Sequence, residues 1–239
     1  MPWFMSVIYD RFMKSSEEAC LAEWRADLLG GLSGEVLEVG AGTGANLRHY
    51  PREVQRLVAT EPDRYMIPKL RKRAEGTRWS AAGADAKGTR WSAAGADAKG
   101  TRWSAPGADA EGELEIVETE VERMPFPDAS FDAVVSTLVL CSVNDLDRSI
   151  AEIRRVLRPG GALVFLEHVA AEDRPDRYVW QRRVEPLWKR VAGNCHLTRR
   201  TGDAIRRGGF EMEREIKDSM RKANAITRAT IRGVARKSK

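Results

Sequence analysis

The sequence predicts a single α/β domain in which helices cover both faces of a mostly parallel, doubly wound sheet. Three observations predict it: short apolar runs alternate with helix-like segments, a glycine-rich turn follows the first run, and a turn-like segment rather than a helix separates the last two. We expect seven strands, of which the last two form an antiparallel hairpin. The 239 residues suffice for one well-buried domain.

The predicted strands are short apolar runs of the length expected for strands buried on both faces. Glycines follow the first run, and Pro159, Gly160 and Gly161 turn the chain into the fifth. In the last run Arg232 and Gly233 separate the apolar residues, so its alternation is imperfect. In chain order the runs span residues 35–39, 56–60, 114–118, 131–135, 162–166, 210–216 and 230–235.

The predicted helices carry apolar residues three or four positions apart, which places them on one face. Ser15 or Ser16 is the expected N-cap of the first, and Leu21, Trp24 and Leu28 share its apolar face. One further helix is expected to begin near residue 45, directly after the glycines. The other helices span about residues 15–32, 64–73, 145–157, 177–191 and 201–207.

A 12-residue tandem repeat interrupts this pattern between the second and third strands. Residues 76–87 (GTRWSAAGADAK) recur at 88–99 and, slightly altered, at 100–111. The tryptophans and arginines of the copies could face a partner, or the repeat could be a tolerated loop, since lengthening a loop costs little entropy. Three polar copies are too few for a solenoid. We interpret the repeat as an insertion in one domain that spans residues 1–239.

Composition and charge exclude several classes of function. The net charge is only +5, and basic residues concentrate only near the C-terminus, so we expect no nucleic-acid partner. The sequence shows neither a signal peptide nor a membrane span, which predicts a cytoplasmic protein and leaves peripheral membrane contact open. The three cysteines, at positions 20, 141 and 195, show no metal-binding spacing, so we predict no metal. The oligomeric state is left open.

The glycine-rich turn formed by Gly40, Gly42 and Gly44 is the first candidate binding element. Between a strand and a helix, such a turn lets the backbone approach a ligand closely. With Ala45 it also satisfies the dinucleotide fingerprint G-x-G-x-x-G/A. Glu61 ends the second strand, where its carboxylate can accept two hydrogen bonds from the ribose diol of an adenosine. These features fit both NAD and S-adenosylmethionine.

Three further positions favour S-adenosylmethionine. Glu38 places a charge just before the glycines, where a dinucleotide enzyme usually has an apolar residue; it could brace the loop or meet the cationic amino-acid end of the cofactor. After the third strand, Glu120 can accept from the adenine amino group while the backbone N–H of Val121 donates to the ring. Leu138 follows the fourth strand at the mouth of the crevice.

These segments resemble class I S-adenosylmethionine-dependent methyltransferases, including the ubiquinone and menaquinone biosynthesis enzymes. The segments are VLEVGAGTG, TEPD, ERMPFPDASFDAVVS and RVLRPGG. A finer resemblance is to the methyltransferase-like thiol S-methyltransferase group, through GTGANL, TLVLCSV, LEHVAAE and CHLTR. It covers nearly the whole chain apart from residues 76–111. Animal members of that group carry an N-terminal membrane anchor, which we do not find in this sequence.

The resemblance implies a Rossmann-like fold and a cofactor position. It places the methionine end near Glu38, Gly40 and Gly42 and the ribose on Glu61, and Gly44 and Pro62 are further expected cofactor contacts. It places the adenine near Glu120 and Val121, with Leu138 also at the cofactor.

The reaction expected of such a site is methyl transfer to a small molecule. The methyl group of a sulfonium is already activated, so the protein must mainly align the acceptor and exclude water. A thiol acceptor must also lose its proton, because the thiolate is the nucleophile. His168 and His196 are the candidate bases, although either could be structural. Tyr9 could close over the methyl group or simply pack near the N-terminus.

Several alternatives remain open from the sequence. The acceptor could be a thiol, a quinone precursor or a phospholipid headgroup. An NAD-linked oxidoreductase would explain the glycine turn and Glu61 but not Glu38. A cofactor-binding protein without catalysis, or a scaffold that uses the repeat, is the other rival. Cys141 and Cys195 are interpreted as small buried side chains rather than nucleophiles.

Overall fold

The computed structural model describes residues 3–75, 77–79, 103–104 and 112–238, and for residues 3–9 and 103–104 the backbone alone. Its strands form one sheet in the order β3-β4-β2-β1-β5-β6-β8-β7. The strands are β1 Gly34–Val39, β2 Val54–Thr60, β3 Trp103–Ser104, β4 Glu113–Val117, β5 Phe131–Thr137, β6 Leu157–His168, β7 Phe210–Ser219 and β8 Ala229–Lys237. The helices are α1 Trp3–Ser16, α2 Ala22–Leu29, α3 Ile67–Ala74, α4 Leu146–Val156, α5 Pro175–Val191 and α6 Thr201–Arg207.

This sheet confirms the predicted fold class. The five central strands β4, β2, β1, β5 and β6 pair in parallel, and β8 pairs antiparallel with both β6 and β7. All seven predicted strands are present. The eighth, β3, comes from the third copy of the repeat and pairs antiparallel with β4. The carboxyl ends of β2, β1, β5 and β6 therefore meet along one edge, where an α/β sheet binds its ligand.

Two hydrophobic layers cover the sheet because successive strand residues point to opposite faces. In β1, Val36 packs into the layer under α2 and α3, whereas Leu37 and Val39 pack into the layer under α4 and α6. Both layers are continuous from the N-terminal half of the sheet to the C-terminal hairpin. The hairpin is therefore part of the same hydrophobic core as the parallel strands.

The first helix differs from the prediction. It begins at Trp3, passes through a π-helical turn at Glu17–Leu21 and ends at Leu29. Ser16 has helical dihedral angles and no capping hydrogen bond, so the predicted cap at Ser15 or Ser16 is wrong. The physical reason is that both serines lie inside the fourteen-residue helix Trp3–Ser16, so no helix starts there.

The helix predicted after the glycine turn is also wrong. The chain forms only a single 3₁₀ turn at Leu47–His49, and Tyr50 is extended. Pro51 explains this difference, because the residue before a proline is disfavoured in the helical region. Too few residues then remain between Gly44 and Tyr50 for an α-helix.

The first copy of the repeat contributes to the core. Trp79 is 0% exposed, and its indole Nε1 donates to the Leu47 carbonyl over 3.0 Å. The Arg78 guanidinium stacks 3.7 Å from the Trp79 ring centroid and donates to the carbonyls of Pro51 and Val54. Trp79 is therefore not presented to a partner. The hydrophobic core of the domain includes this residue of the first repeat copy. Residues 80–102, with the second copy's tryptophan, lie outside the described residues.

No helix within the described ranges is both long enough and apolar enough to cross a membrane.

Candidate functional site

The glycine-rich turn follows β1 with three residues in the left-handed region. Gly40, Gly42 and Gly44 have φ of +58°, +57° and +82°, which favours glycine at each position. A Cβ on Gly40 would lie 2.6 Å from Cγ2 of Val139, and one on Gly44 would meet Leu70 at 2.8 Å. A Cβ on Gly42 would meet no atom within 4 Å. Gly42 therefore borders an open space, which we call the cradle.

Glu61 lies directly beside this cradle. One of its carboxylate oxygens accepts from the Gly42 N–H and the other from the Asp63 N–H, each over 2.8 Å. The side chain is 6% exposed, and this burial raises the pKa of Glu61, while the two backbone hydrogen bonds oppose the rise. Each oxygen still has a second lone pair that can accept a ligand hydroxyl. The structure thus brings together the two binding elements that the sequence indicated.

Glu38 braces the loop that carries the glycines. Its Oε1 accepts from Nδ2 of Asn46 over 2.9 Å, and its Oε2 accepts from the Tyr50 hydroxyl over 2.8 Å. Arg25, on α2, donates to Oδ1 of Asn46 over 2.6 Å and so closes the network from the other side. Both carboxylate oxygens are held by protein donors, which gives Glu38 a structural function in addition to any contact with a ligand.

We expect the Glu38 carboxylate to make stability depend on pH. Burial, the largest cause, raises the pKa of Glu38 from 4.5 to about 7; Glu61 adds to the rise, while Tyr50, Asn46 and Arg25 oppose it. The unfolded chain ionises first as pH increases, so wild type should lose stability relative to Glu38→Gln between about pH 4.5 and 7. A shift of this size corresponds to about 3 kcal/mol.

Urea unfolding of wild type and Glu38→Gln at several pH values measures this difference. Glu53→Gln is the matched control, because Glu53 is an exposed carboxylate just before β2. Its difference in unfolding free energy from wild type should not change with pH over this range. A flat difference for Glu38→Gln would show that Glu38 is ionised throughout the range.

Helix α1 is tied to the glycine turn by a residue that sequence reasoning missed. Oδ1 of Asp10 accepts from the Thr43 hydroxyl over 2.6 Å, and its Oδ2 lies 3.2 Å from Nη2 of Arg73 on α3. Arg73 also donates to the Thr43 hydroxyl. Tyr9 is the neighbouring residue in α1, but its side chain lies outside the part that the structure describes. Asp10 therefore lies beside the cradle, and the function of Tyr9 stays a prediction.

The segment after β4 lies beside the end of β2, since the Glu61 N–H donates to the Val117 carbonyl over 3.1 Å. Glu120 is exposed there, so its carboxylate is free of the core. Val121 is buried in the hydrophobic layer, so only its backbone can face a ligand. These positions are compatible with the predicted functions of both residues.

The loop after β5 is organised by Glu167, a second residue that sequence reasoning missed. This buried carboxylate accepts from the Ser136 hydroxyl over 2.7 Å and from three consecutive backbone N–H groups, those of Val139, Leu140 and Cys141. Leu138 begins this loop with φ of +61°, a conformation rare for a non-glycine residue. A carboxylate near the end of an apolar strand, as at Glu38, is the sequence signal that could have identified Glu167.

The two candidate histidines occupy different surroundings. Nδ1 of His168 lies 3.7 Å from Sγ of Cys195, and Cys141 completes a cluster with them. The Cys195 thiol has a lowered pKa because Cys141 donates a hydrogen bond to it and His168 lies beside it. Nδ1 of His196 instead lies 3.7 Å from Oε1 of Glu185. The structure therefore brings the side chain of His168, but not that of His196, together with the thiols of Cys141 and Cys195.

Comparison with known proteins decides which cofactor this edge of the sheet serves. A family model described as a methyltransferase domain matches residues 37–165, more than half of the chain. The chain belongs to this methyltransferase family. The methyltransferase is 32% identical over 218 residues to the human thiol S-methyltransferase TMT1A, covering 87% of this chain and 74% of the relative. A ubiquinone/menaquinone biosynthesis C-methyltransferase from Hahella chejuensis is 48% identical over only 54 residues, 23% of this chain and 22% of the relative.

The fold of the methyltransferase also matches solved structures. One of them is an S-adenosylmethionine-dependent methyltransferase from Thermotoga maritima, with a TM-score of 0.63 and 17% identity over 99% of this chain and 98% of that one. The methyltransferase therefore has the class I Rossmann-like fold and uses S-adenosylmethionine as its methyl donor. Membership of the methyltransferase family removes the NAD-linked oxidoreductase as an alternative.

Proposed function

We propose that this methyltransferase methylates the sulfur atom of a small thiol. The observation that carries the proposal is the extent of similarity to the human thiol S-methyltransferase, which covers 87% of the chain and so reaches beyond residues 37–165. The segments outside that range include Cys195, which lies at the carboxyl edge of the sheet with His168. A quinone precursor is supported less, because the quinone-biosynthesis relative matches 54 residues only. A phospholipid headgroup has no specific observation in its favour.

The cradle at Gly42 fits the donor. We place the methionine end along the turn of Gly40, Gly42 and Gly44, where the space beside Gly42 is open and the absence of side chains lets a ligand approach the backbone closely. We place the ribose hydroxyls on Glu61, next to Pro62, because the buried carboxylate keeps acceptor capacity there.

The remaining cofactor contacts follow from the neighbouring strand ends. The backbone N–H of Val121 and the carboxylate of Glu120 are assigned to the adenine. Leu138 and Tyr9 are assigned to the walls around the methyl group. Glu38 holds the loop in shape through Asn46 and Tyr50, and any contact that it makes with the donor is secondary to that.

The chain has three tasks in the reaction. S-adenosylmethionine supplies a methyl group already activated on a sulfonium. The protein must align the acceptor sulfur with that methyl group, exclude water and remove the thiol proton. We assign thiol activation to the surroundings of His168, which lies with two cysteines at the end of β6. His196 is assigned a structural function, because it faces Glu185, which also accepts two hydrogen bonds from Thr198.

The test is an acceptor panel with isotopically labelled S-adenosylmethionine. An alkyl thiol should give both S-adenosylhomocysteine and the methyl thioether, whereas the alcohol of the same carbon skeleton should give neither. A demethylated quinone precursor and phosphatidylethanolamine vesicles are the competing acceptors. Turnover of either competitor with no thioether from any thiol would overturn the proposal. The cytoplasmic location stays a prediction that fractionation of cells would test.

A further inference from the structure

Three potential metal ligands from separate parts of the chain converge at the carboxyl edge of the sheet. Cys141 lies in the loop after β5, His168 ends β6 and Cys195 follows α5. Their ligand atoms all lie within 4.8 Å of one another, and Sγ of Cys195 is 3.7 Å from Nδ1 of His168. Cys141 and Cys195 are free thiols, 1% and 6% exposed. The cluster is therefore compact and largely buried, with two soft sulfur donors and one partly buried imidazole.

These separations suit a tetrahedral zinc ion. Zinc binds sulfur at about 2.3 Å and imidazole nitrogen at about 2.0–2.1 Å, which places neighbouring donor atoms roughly 3.5–3.8 Å apart. The sulfur–nitrogen distance between Cys195 and His168 already falls in that range. The donor atom of Cys141 requires a shift of about 1 Å at most, which a cysteine rotamer can supply.

Hydrogen bonds around the cluster hold the donors in place. The His196 N–H donates to the Cys141 carbonyl over 2.8 Å, which joins the segment of Cys195 to the segment of Cys141. Glu167 accepts from the Cys141 N–H, and Arg199 donates to the carbonyls of Leu140 and Val143 over 2.6 Å each. These backbone hydrogen bonds fix the two segments that carry Cys141 and Cys195 relative to each other.

The ring of His168 lacks a partner that would otherwise explain its position. Its Nε2 is buried with no hydrogen-bond partner among the described residues, and its Nδ1 meets only the Cys195 sulfur in that part of the chain. A metal bound at Nδ1 would account for the position of the ring beside Cys195, and the ring proton would then lie on Nε2.

The number of ligands indicates what such a zinc ion would do. Structural zinc sites have four protein ligands, whereas three protein ligands with an open position are typical of catalytic sites. Within the described ranges the cluster contains three potential ligands. A thiolate is a soft ligand suited to the open position, and a coordinated thiol is deprotonated outright.

We propose that Cys141, His168 and Cys195 bind one zinc ion and that the acceptor thiol occupies its fourth position. The fourth ligand rests on the proposed function, whereas the three protein ligands do not. The thiol loses its proton to water when its sulfur binds the zinc. A sulfur electron pair then forms a bond to the methyl carbon as the bond from that carbon to the sulfonium breaks, and the breaking bond's electrons stay on S-adenosylhomocysteine. The neutral thioether is a weak ligand and leaves.

Cobalt(II) is the spectroscopic probe for this site. We expect the metal-free full-length protein to bind one cobalt per chain and to show tetrahedral d–d bands with thiolate-to-cobalt charge transfer. Cys141→Ser, Cys195→Ser and His168→Gln should each weaken binding more than about 100-fold, since even outer-shell substitutions cost 10–100-fold. Cys20→Ser removes the third buried cysteine, which lies in the N-terminal helical segment, and should leave the spectrum unchanged.

Two further measurements use the wild-type protein, so they do not depend on variants that could misfold. They also distinguish metal binding from binding of the acceptor thiol. In wild type, zinc should shield Cys141 and Cys195, but not Cys20, from alkylation in urea concentrations below the unfolding midpoint. Adding an alkyl thiol to the cobalt protein should increase the charge-transfer band. Absence of that band or of shielding would overturn the zinc site, and a spectrum indifferent to thiol would overturn its open position. Cobalt binding without thiol methylation would refute the proposed function alone, whereas methylation without metal binding would refute this inference alone.

Discussion

Gly42→Ala should weaken binding of S-adenosylhomocysteine roughly 10- to 100-fold, because adding a methyl group to a filled site costs about 1–3 kcal/mol. The Cβ would project into the cradle where no protein atom lies within 4 Å. The substitution also forces a non-glycine residue to adopt φ of +57°, which costs about 1–2 kcal/mol of stability. Calorimetric titration measures the first effect and thermal unfolding the second.

Gly160→Ala is the matched control for this experiment. Gly160 has φ of +77°, and a Cβ there would also meet nothing within 4 Å. It lies near the start of β6, away from the carboxyl edge of the sheet. Both variants should therefore lose similar stability, whereas only Gly42→Ala should lose affinity. Equal affinities in the two variants would mean that the donor does not occupy the cradle at Gly42.

Glu61→Gln should weaken donor binding by about 100- to 1,000-fold. A hydrogen bond to a charged group contributes about 1.5–3 kcal/mol, and we assign two ribose hydroxyls to this carboxylate. Stability should change less. The amide oxygen keeps one acceptor, but the amide nitrogen leaves the N–H of Gly42 or Asp63 without its acceptor, which costs about 1–3 kcal/mol. Removal of a buried charge offsets part of this cost. Calorimetry with S-adenosylhomocysteine gives the affinity, and urea unfolding gives the stability.

Glu53→Gln is the corresponding control, since Glu53 is an exposed carboxylate just before the same strand. It should bind the donor as wild type does. Comparison with adenosine as the ligand refines the result, because adenosine retains the ribose diol but lacks the methionine part. Adenosine affinity should fall in Glu61→Gln as well. If only the methionine-containing ligands lose affinity, Glu61 contacts that end and the ribose assignment is wrong.

The positions of the strands along the chain were predictable because their signal is local. Residues 35–39, for example, contain three apolar residues and are flanked by glycines at 34 and 40. The strand and the turn after it can therefore be predicted from a few neighbouring residues. Glu61 was identifiable for the same reason, since it ends a strand whose partner carries the glycine turn. The boundaries were less predictable: β6 starts at Leu157 rather than 162, because pairing of Phe131 with Leu157 extends the strand through a register shift.

The failed elements show where local reasoning ends. Ser16 resembles a helix cap in isolation, yet a preceding helix makes that position interior. Trp79 belongs to a repeat with no apolar face, yet the space between Leu47 and Tyr50 admits its ring. In both cases a distant or preceding segment decides the environment, and hydrophobic burial then outweighs the local pattern.

The sequence by itself determined the sheet, the glycine turn and the acidic residue that closes the second strand, because each depends on residues close together in the chain. Only the tertiary structure decided that Cys141, His168 and Cys195 meet, since 27 residues separate each from the next along the chain. Parallel pairing of β5 with β6 brings the first two to one edge. The long α5 and the turn after it return Cys195 to the same edge. The three side chains become potential ligands of one metal ion only because the fold places them within 4.8 Å of one another, which their spacing in the sequence does not reveal.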